Sequence, residues 1–155
     1  MLTDSETLHL KFMRDALKQA EIAYEKDEVP VGAVIVHRNQ VIAKAHNQIK
    51  TLKDPTAHAE MIAITQAADY LKNERLKDCT MYVTIEPCSM CAGAMVLARI
   101  EKLYYAAKDP KTGADGSVVN LLRNNKLNHI VKTKSGILED ESRSLIQDFF
   151  RKKRK

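Results

Sequence analysis

The sequence predicts an α/β domain, a sheet with helices on both of its faces. Two observations carry this. Stretches with apolar residues at helical spacing alternate along the chain with short runs rich in β-branched residues. The 155 residues, 45% hydrophobic and 29% charged, suffice for one domain around a single core and leave no room for a second catalytic domain.

The elements follow in order. Over residues 6–26, Phe12, Met13, Ala16, Leu17, Ala20, Ala23 and Tyr24 recur at the period of a helix. Residues 29–36 are a nearly continuous valine-rich run and predict a buried strand, with 40–45 as its neighbour across a turn at His37, Arg38 and Asn39. Asp54 and Pro55 break the chain, and Thr56 is placed to cap a helix over 58–72. Residues 80–85 predict a strand that Pro87 stops, followed by a helix over 89–98 and a short strand over 102–106. Pro110, Gly113 and Gly116 mark 109–117 as a loop, with a short helix and a short strand expected after it. The last helix is expected over 139–151, with acidic residues in its first turn and basic residues at its end, both suited to the helix dipole.

Composition narrows the function. No apolar run approaches the roughly 20 residues of a membrane span. The first six residues lack the apolar segment of a signal peptide, so a cytoplasmic protein is expected. Three cysteines, Cys79, Cys88 and Cys91, argue against a disulfide framework. Cys79 stands alone before an apolar run and reads as a small buried residue. The net charge of +5 comes from 25 basic and 20 acidic side chains, and residues 151–155 are all basic. The whole excess therefore sits in this tail, either as a footprint for a nucleic-acid backbone or as a solvated helix end.

Two short segments carry chemistry: His58-Ala59-Glu60 and Pro87-Cys88-Ser89-Met90-Cys91. Each falls where a helix is expected to begin. Cysteines three apart on a first helical turn point to one side, and a helix N-terminus favours the thiolates a metal wants. His58 completes a three-ligand set for Zn²⁺, one ion per chain. Three protein ligands leave a fourth tetrahedral position for water, the catalytic pattern of zinc. Glu60 is the candidate base for that water. It could instead close the set as a fourth ligand, but a closed site has no water to activate. A lone C-x-x-C also suits a redox pair, which leaves His58 and Glu60 unused. A structural zinc knot wants a fourth protein ligand. His9, His37, His46 and His129 have no partner of matching spacing and read as surface or packing residues.

At these residues the sequence resembles the cytidine-deaminase-like superfamily, with its H-x-E and P-C-x-x-C signature. Within it, the chain is most similar to bacterial tRNA-specific adenosine deaminases. The matching stretches are EVPVGAVIV at 28–36, His46-Asn47, DPTAHAE at 54–60, YVTIEPCSMCAGAM at 82–95, DPKTGADGS at 109–117, Asn128-His129 and DFFR at 148–151. They span most of the chain in one order. The resemblance implies a three-layer α/β/α fold with a mixed five-stranded sheet. It also implies conversion of adenosine to inosine at the anticodon wobble position of a tRNA, by a homodimer. It places zinc on His58, Cys88 and Cys91, proton transfer on Glu60, and Asn47, Asp109, Phe150 and Arg151 near the RNA substrate. For Asn47 and Asp109 the competing reading is turn and cap chemistry, and for Phe150 it is core packing. Two other functions share the motif: deamination of a free base, nucleoside or nucleotide, and a non-catalytic zinc-binding partner subunit. The intact Glu60 speaks against the second.

Overall fold

The computed structural model describes residues 1–154. Helix α1 (Asp4–Glu25) starts at a capping box in which Thr3 and Glu6 satisfy each other's backbone amides. Strands β1 (Gly32–His37) and β2 (Gln40–His46) form a hairpin whose turn residues Arg38 and Asn39 have φ of 52° and 63°, the conformation that fits the twist of paired strands. A short helix α2 (Ile49–Leu52) leads to α3 (Ala59–Leu71). Then come β3 (Cys79–Ile85), α4 (Ser89–Ala98), β4 (Lys102–Ala107), β5 (Lys132–Ser135) and α5 (Glu139–Lys153). The sheet is five-stranded in the order β2-β1-β3-β4-β5. β1 is antiparallel to both β2 and β3, while β3, β4 and β5 run parallel.

Side chains alternate across the strands, and each face has its own core. On one face Ala33, Ile35, Met81, Val83, Leu103 and Tyr105 pack under α3 and α4, which present Ala59, Ala63, Ala67, Ala92 and Met95. On the other face Val34, Val36, Tyr82 and Ala106 pack against Phe12, Met13 and Ala16 of α1. Helix α5 joins α1 on that second face: Phe149 is buried with its ring edge-on to Tyr24. This is the three-layer α/β/α arrangement. Gly32 explains how closely α1 lies on β1: a Cβ there would stand 2.0 Å from the Ala16 carbonyl oxygen, so only glycine fits.

Some expectations fail for physical reasons. Residues 29–31 lie outside β1, because Pro30 has no amide to donate to a ladder. Thr56 does not cap α3; its amide and hydroxyl are turned back to Asp54 Oδ1, at 2.8 and 2.7 Å. No helix forms between β4 and β5. That connection is a series of turns with one isolated bridge, Asp115 to Asn120. The basic tail begins inside α5, which extends past residue 151. Lys153 pairs with Asp27, and Lys152 lies 3.6 Å from Asp148. Lys155, the last residue of that tail, lies outside the described residues. Cys79 is fully buried, and burial pushes its thiol up to about 11. Among the described residues no helix is long and apolar enough to cross a membrane.

Candidate active site

Two helices begin at one place. His58 is the N-cap residue of α3 and Cys88 that of α4, and neither side chain caps its own helix. Asn47 takes over that task for α3, its Oδ1 accepting the Ala59 amide at 2.8 Å. His58 is thereby free to turn its ring to the cysteines. Its Nδ1 lies 3.7 Å from Cys88 Sγ and 3.6 Å from Cys91 Sγ. Among the described residues, these three are the one group of His, Cys, Asp or Glu that could hold a metal ion, with all three donor atoms within 4.8 Å of one another. The positive ends of two helix dipoles converge on this group.

The electrostatics are those of crowded donors. A hydrogen bond from Cys91, then the contact with His58, hold the Cys88 thiol down at about 4. The same bond to Cys88, together with burial, drives the Cys91 thiol far above the usual range. His58 is raised, chiefly by its bond to Cys88, against the burial that lowers it. Glu60 stands in the first turn of α3 and is 3% exposed. Burial pushes its carboxyl up to about 7, against the neighbouring His58. A buried carboxyl poised there holds or releases a proton at neutral pH.

The group opens onto a cavity of about 660 Å³, lined by His58, Glu60 and Cys88 and also by Asn47, Asp109 and Phe150. That volume suits a nucleoside-sized ligand. Asp109 also does turn chemistry: its Oδ1 accepts the Lys111 and Thr112 amides, and its Oδ2 the Thr112 hydroxyl at 2.7 Å. Phe150 is 44% exposed at the rim, so core packing does not describe it. Arg151 stands apart from this cavity. It lines an adjoining groove of about 530 Å³ with Lys111, Lys153 and Arg154, and lies 3.9 Å from Asp148.

No motif marks Glu86 or Asp115 individually in the sequence. Both are buried and both tie down the segment that walls the cavity. Asp115 accepts from Tyr105 Oη at 2.8 Å, Arg123 Nε at 2.9 Å and Thr133 Oγ1 at 3.2 Å. A charged residue closing the apolar run of β3 was the available signal for Glu86.

Proteins similar in sequence and fold are deaminases. A family model described as MafB19-like deaminase matches residues 7–154. The chain is 47% identical over 144 residues to a tRNA-specific adenosine deaminase of Bacillus subtilis strain 168, covering 93% of this chain and 89% of that protein. It is 50% identical over 143 residues to the enzyme of the same description from Aquifex aeolicus strain VF5, covering 92% and 94%. A solved structure from a study of A-to-I editing by tRNA:A34 deaminases at the wobble position superposes with a TM-score of 0.84. That protein shares 46% identity, with 87% of this chain and 98% of the other covered.

Proposed function

The chain belongs to the family of tRNA-specific adenosine deaminases, and from that premise we propose that it converts adenosine to inosine at the wobble position of a tRNA anticodon, with zinc held by His58, Cys88 and Cys91. The observation that carries the reading is the donor set beside a buried carboxyl at the floor of a nucleoside-sized cavity. The fit to zinc rests on distance. Ligands at the usual Zn–S and Zn–N lengths and a tetrahedral angle place sulfur and nitrogen about 3.6 Å apart, against 3.6 and 3.7 Å here. Two cysteines and a histidine are also the donor types that zinc takes. Zinc held there would supply Lewis acidity, lowering the pKa of a bound water.

The other steps fall to the chain's own groups. Glu60 takes a proton from the attacking water and delivers it to N1 of the adenine ring, beside the amino-bearing C6. The water oxygen bonds to C6, and Glu60 then moves the proton of that new hydroxyl to the amino group; the C6–N bond breaks, ammonia leaves and the C6 carbonyl forms, so adenosine and water become inosine and ammonia. Asn47 and Asp109 border the space where the nucleoside would sit, and Phe150 offers a ring at its mouth. An anticodon loop is single-stranded, so presenting one base costs little unstacking. The basic groove with Lys111, Arg151, Lys153 and Arg154 suits phosphates that follow that base.

The whole chain acts as one cytoplasmic deaminase domain in this reading, and works as a homodimer. Leu97 of α4, 81% exposed, with Val118 and Val119, are apolar side chains that a monomer leaves in water. Light scattering at micromolar concentration tests the dimer. The substrate is tested with an arginine-tRNA anticodon stem-loop carrying adenosine at the wobble position, run beside free adenosine, cytidine and guanine. Inosine from the stem-loop alone is the expected result. Turnover of a free base or nucleoside without the stem-loop would move the enzyme to nucleotide salvage.

A further inference from the structure

We propose that Glu86 is a positioning residue, whose buried carboxylate holds the 109–117 loop, and so the Asp109 wall of the cavity, in register with the cysteine turn. Glu86 is 1% exposed and lies two residues before Cys88. Its Oε1 accepts the Asp109 amide at 3.0 Å and the Ser117 hydroxyl. Its Oε2 accepts the Asp115 amide at 2.8 Å and the Ser117 amide at 3.3 Å. The backbone adds two bonds: the Glu86 amide donates to Ala107 O at the end of β4 at 2.8 Å, and the Ala114 amide of the loop donates to Pro87 O at 2.8 Å. The loop is closed tightly around the carboxylate. A Cβ on Gly113 would stand 2.3 Å from Glu86 Cδ and 2.5 Å from each of its oxygens.

The donors are three backbone amides and one hydroxyl, so the contact organises a loop and is not an ion pair. Four donors converging on two oxygens need a carboxylate, because an amide side chain would turn an NH2 against some of them. One residue thus meets the loop whose Asp109 borders the cavity and adjoins the turn whose Cys88 belongs to the donor set. A displacement of about 1 Å between such parts can cost on the order of a hundredfold in rate. The consequence for catalysis rests on the functional reading above; the loop restraint does not.

The test uses the full chain loaded with zinc, as wild type, Glu86→Gln, Asp109→Ala and the double variant. Zinc content, amide hydrogen exchange and the kinetics on the stem-loop are measured together. In Glu86→Gln zinc stays bound, while exchange at the Asp109, Asp115 and Ser117 amides quickens about tenfold or more. Its kcat/KM falls on the order of a hundredfold, and adding Asp109→Ala costs little more, because both changes remove the same wall. Multiplying losses in the double variant would mark a general structural defect and overturn the proposal, as would unchanged exchange at the three amides or wild-type kinetics. Gly113→Ala, which displaces the carboxylate and retains it, serves if Glu86→Gln does not fold, and must show the same loosened amides and kinetic pattern. Absence of turnover in the wild type would sink the substrate reading, and the exchange rates would still decide the role of Glu86.

Discussion

The chain entries into α3 and α4 and the long connection from β4 to β5 border the same cavity, but they are built by different physics. The first pair uses regular structure. Strand β3 gives way to α4, the turns after α2 give way to α3, and His58, Cys88 and Cys91 sit on the caps and the first turn, their positions following from helix geometry. The β4–β5 connection has no helix or strand of its own. It keeps its shape through two buried carboxylates, Glu86 and Asp115, which take amides and hydroxyls from residues distant in the chain. Reactive groups are placed by local helix geometry, and the wall of the cavity by polar links between segments distant in the chain. Damage to the two regions should therefore differ in kind: loss of metal on one side, loss of substrate fit with metal retained on the other.

The largest effect is expected from Cys88→Ala. It removes a donor and leaves the wall's links untouched, so bound zinc and turnover should both vanish. Full metal occupancy by elemental analysis would take Cys88 out of the ligand set. Asn47→Ala sharpens the comparison, since Asn47 serves the first region in two ways: it caps α3 and lines the cavity. Loss of the cap should cost about 1 kcal/mol in urea unfolding, with zinc still bound and KM raised. An unchanged midpoint would show that the Ala59 amide finds another partner.

The smallest effect concerns pH. Glu28 is a further buried carboxylate, accepting the Lys50 and Thr51 amides and the Thr51 hydroxyl at the start of α2. Burial alone would raise its pKa, but the bonds from Thr51 and Lys50 prevail and lower it from 4.5. Its stabilisation is therefore complete above about that unfolded value and is lost as pH falls through the lower folded value. Glu28→Gln should flatten the acid side of a plot of urea midpoint against pH. A curve parallel to the wild type would remove Glu28 as a source of acid sensitivity.

What could be read from the residues follows the same division. Helix α1 (Asp4–Glu25) lies close to the 6–26 that its apolar spacing predicts, and the H-x-E and C-x-x-C spacings mark the three candidate donors and Glu60 in the sequence alone. Periodicity and capping are local, so they leave a local trace. The cap of α3 was misplaced on Thr56 because the real one, Asn47, comes from 12 residues upstream. Glu86 and Asp115 escaped because most of their partners are backbone amides or residues far along the chain, which carry no motif. The helix expected after residue 117 fails for a related reason. Leu122 is fully buried, and the Val131 amide bonds to its carbonyl at 2.9 Å, which holds that segment as a packed turn.

The central claim, that three side chains hold the metal while Glu60 moves the protons, is tested most directly in one variant measured two ways. Glu60→Ala is purified with zinc, and its metal content and single-turnover rate on the stem-loop are compared with the wild type. The account predicts one zinc per chain and a rate reduced by about 10² to 10⁴. Normal turnover would remove Glu60 from the chemistry, and loss of zinc would make it a ligand.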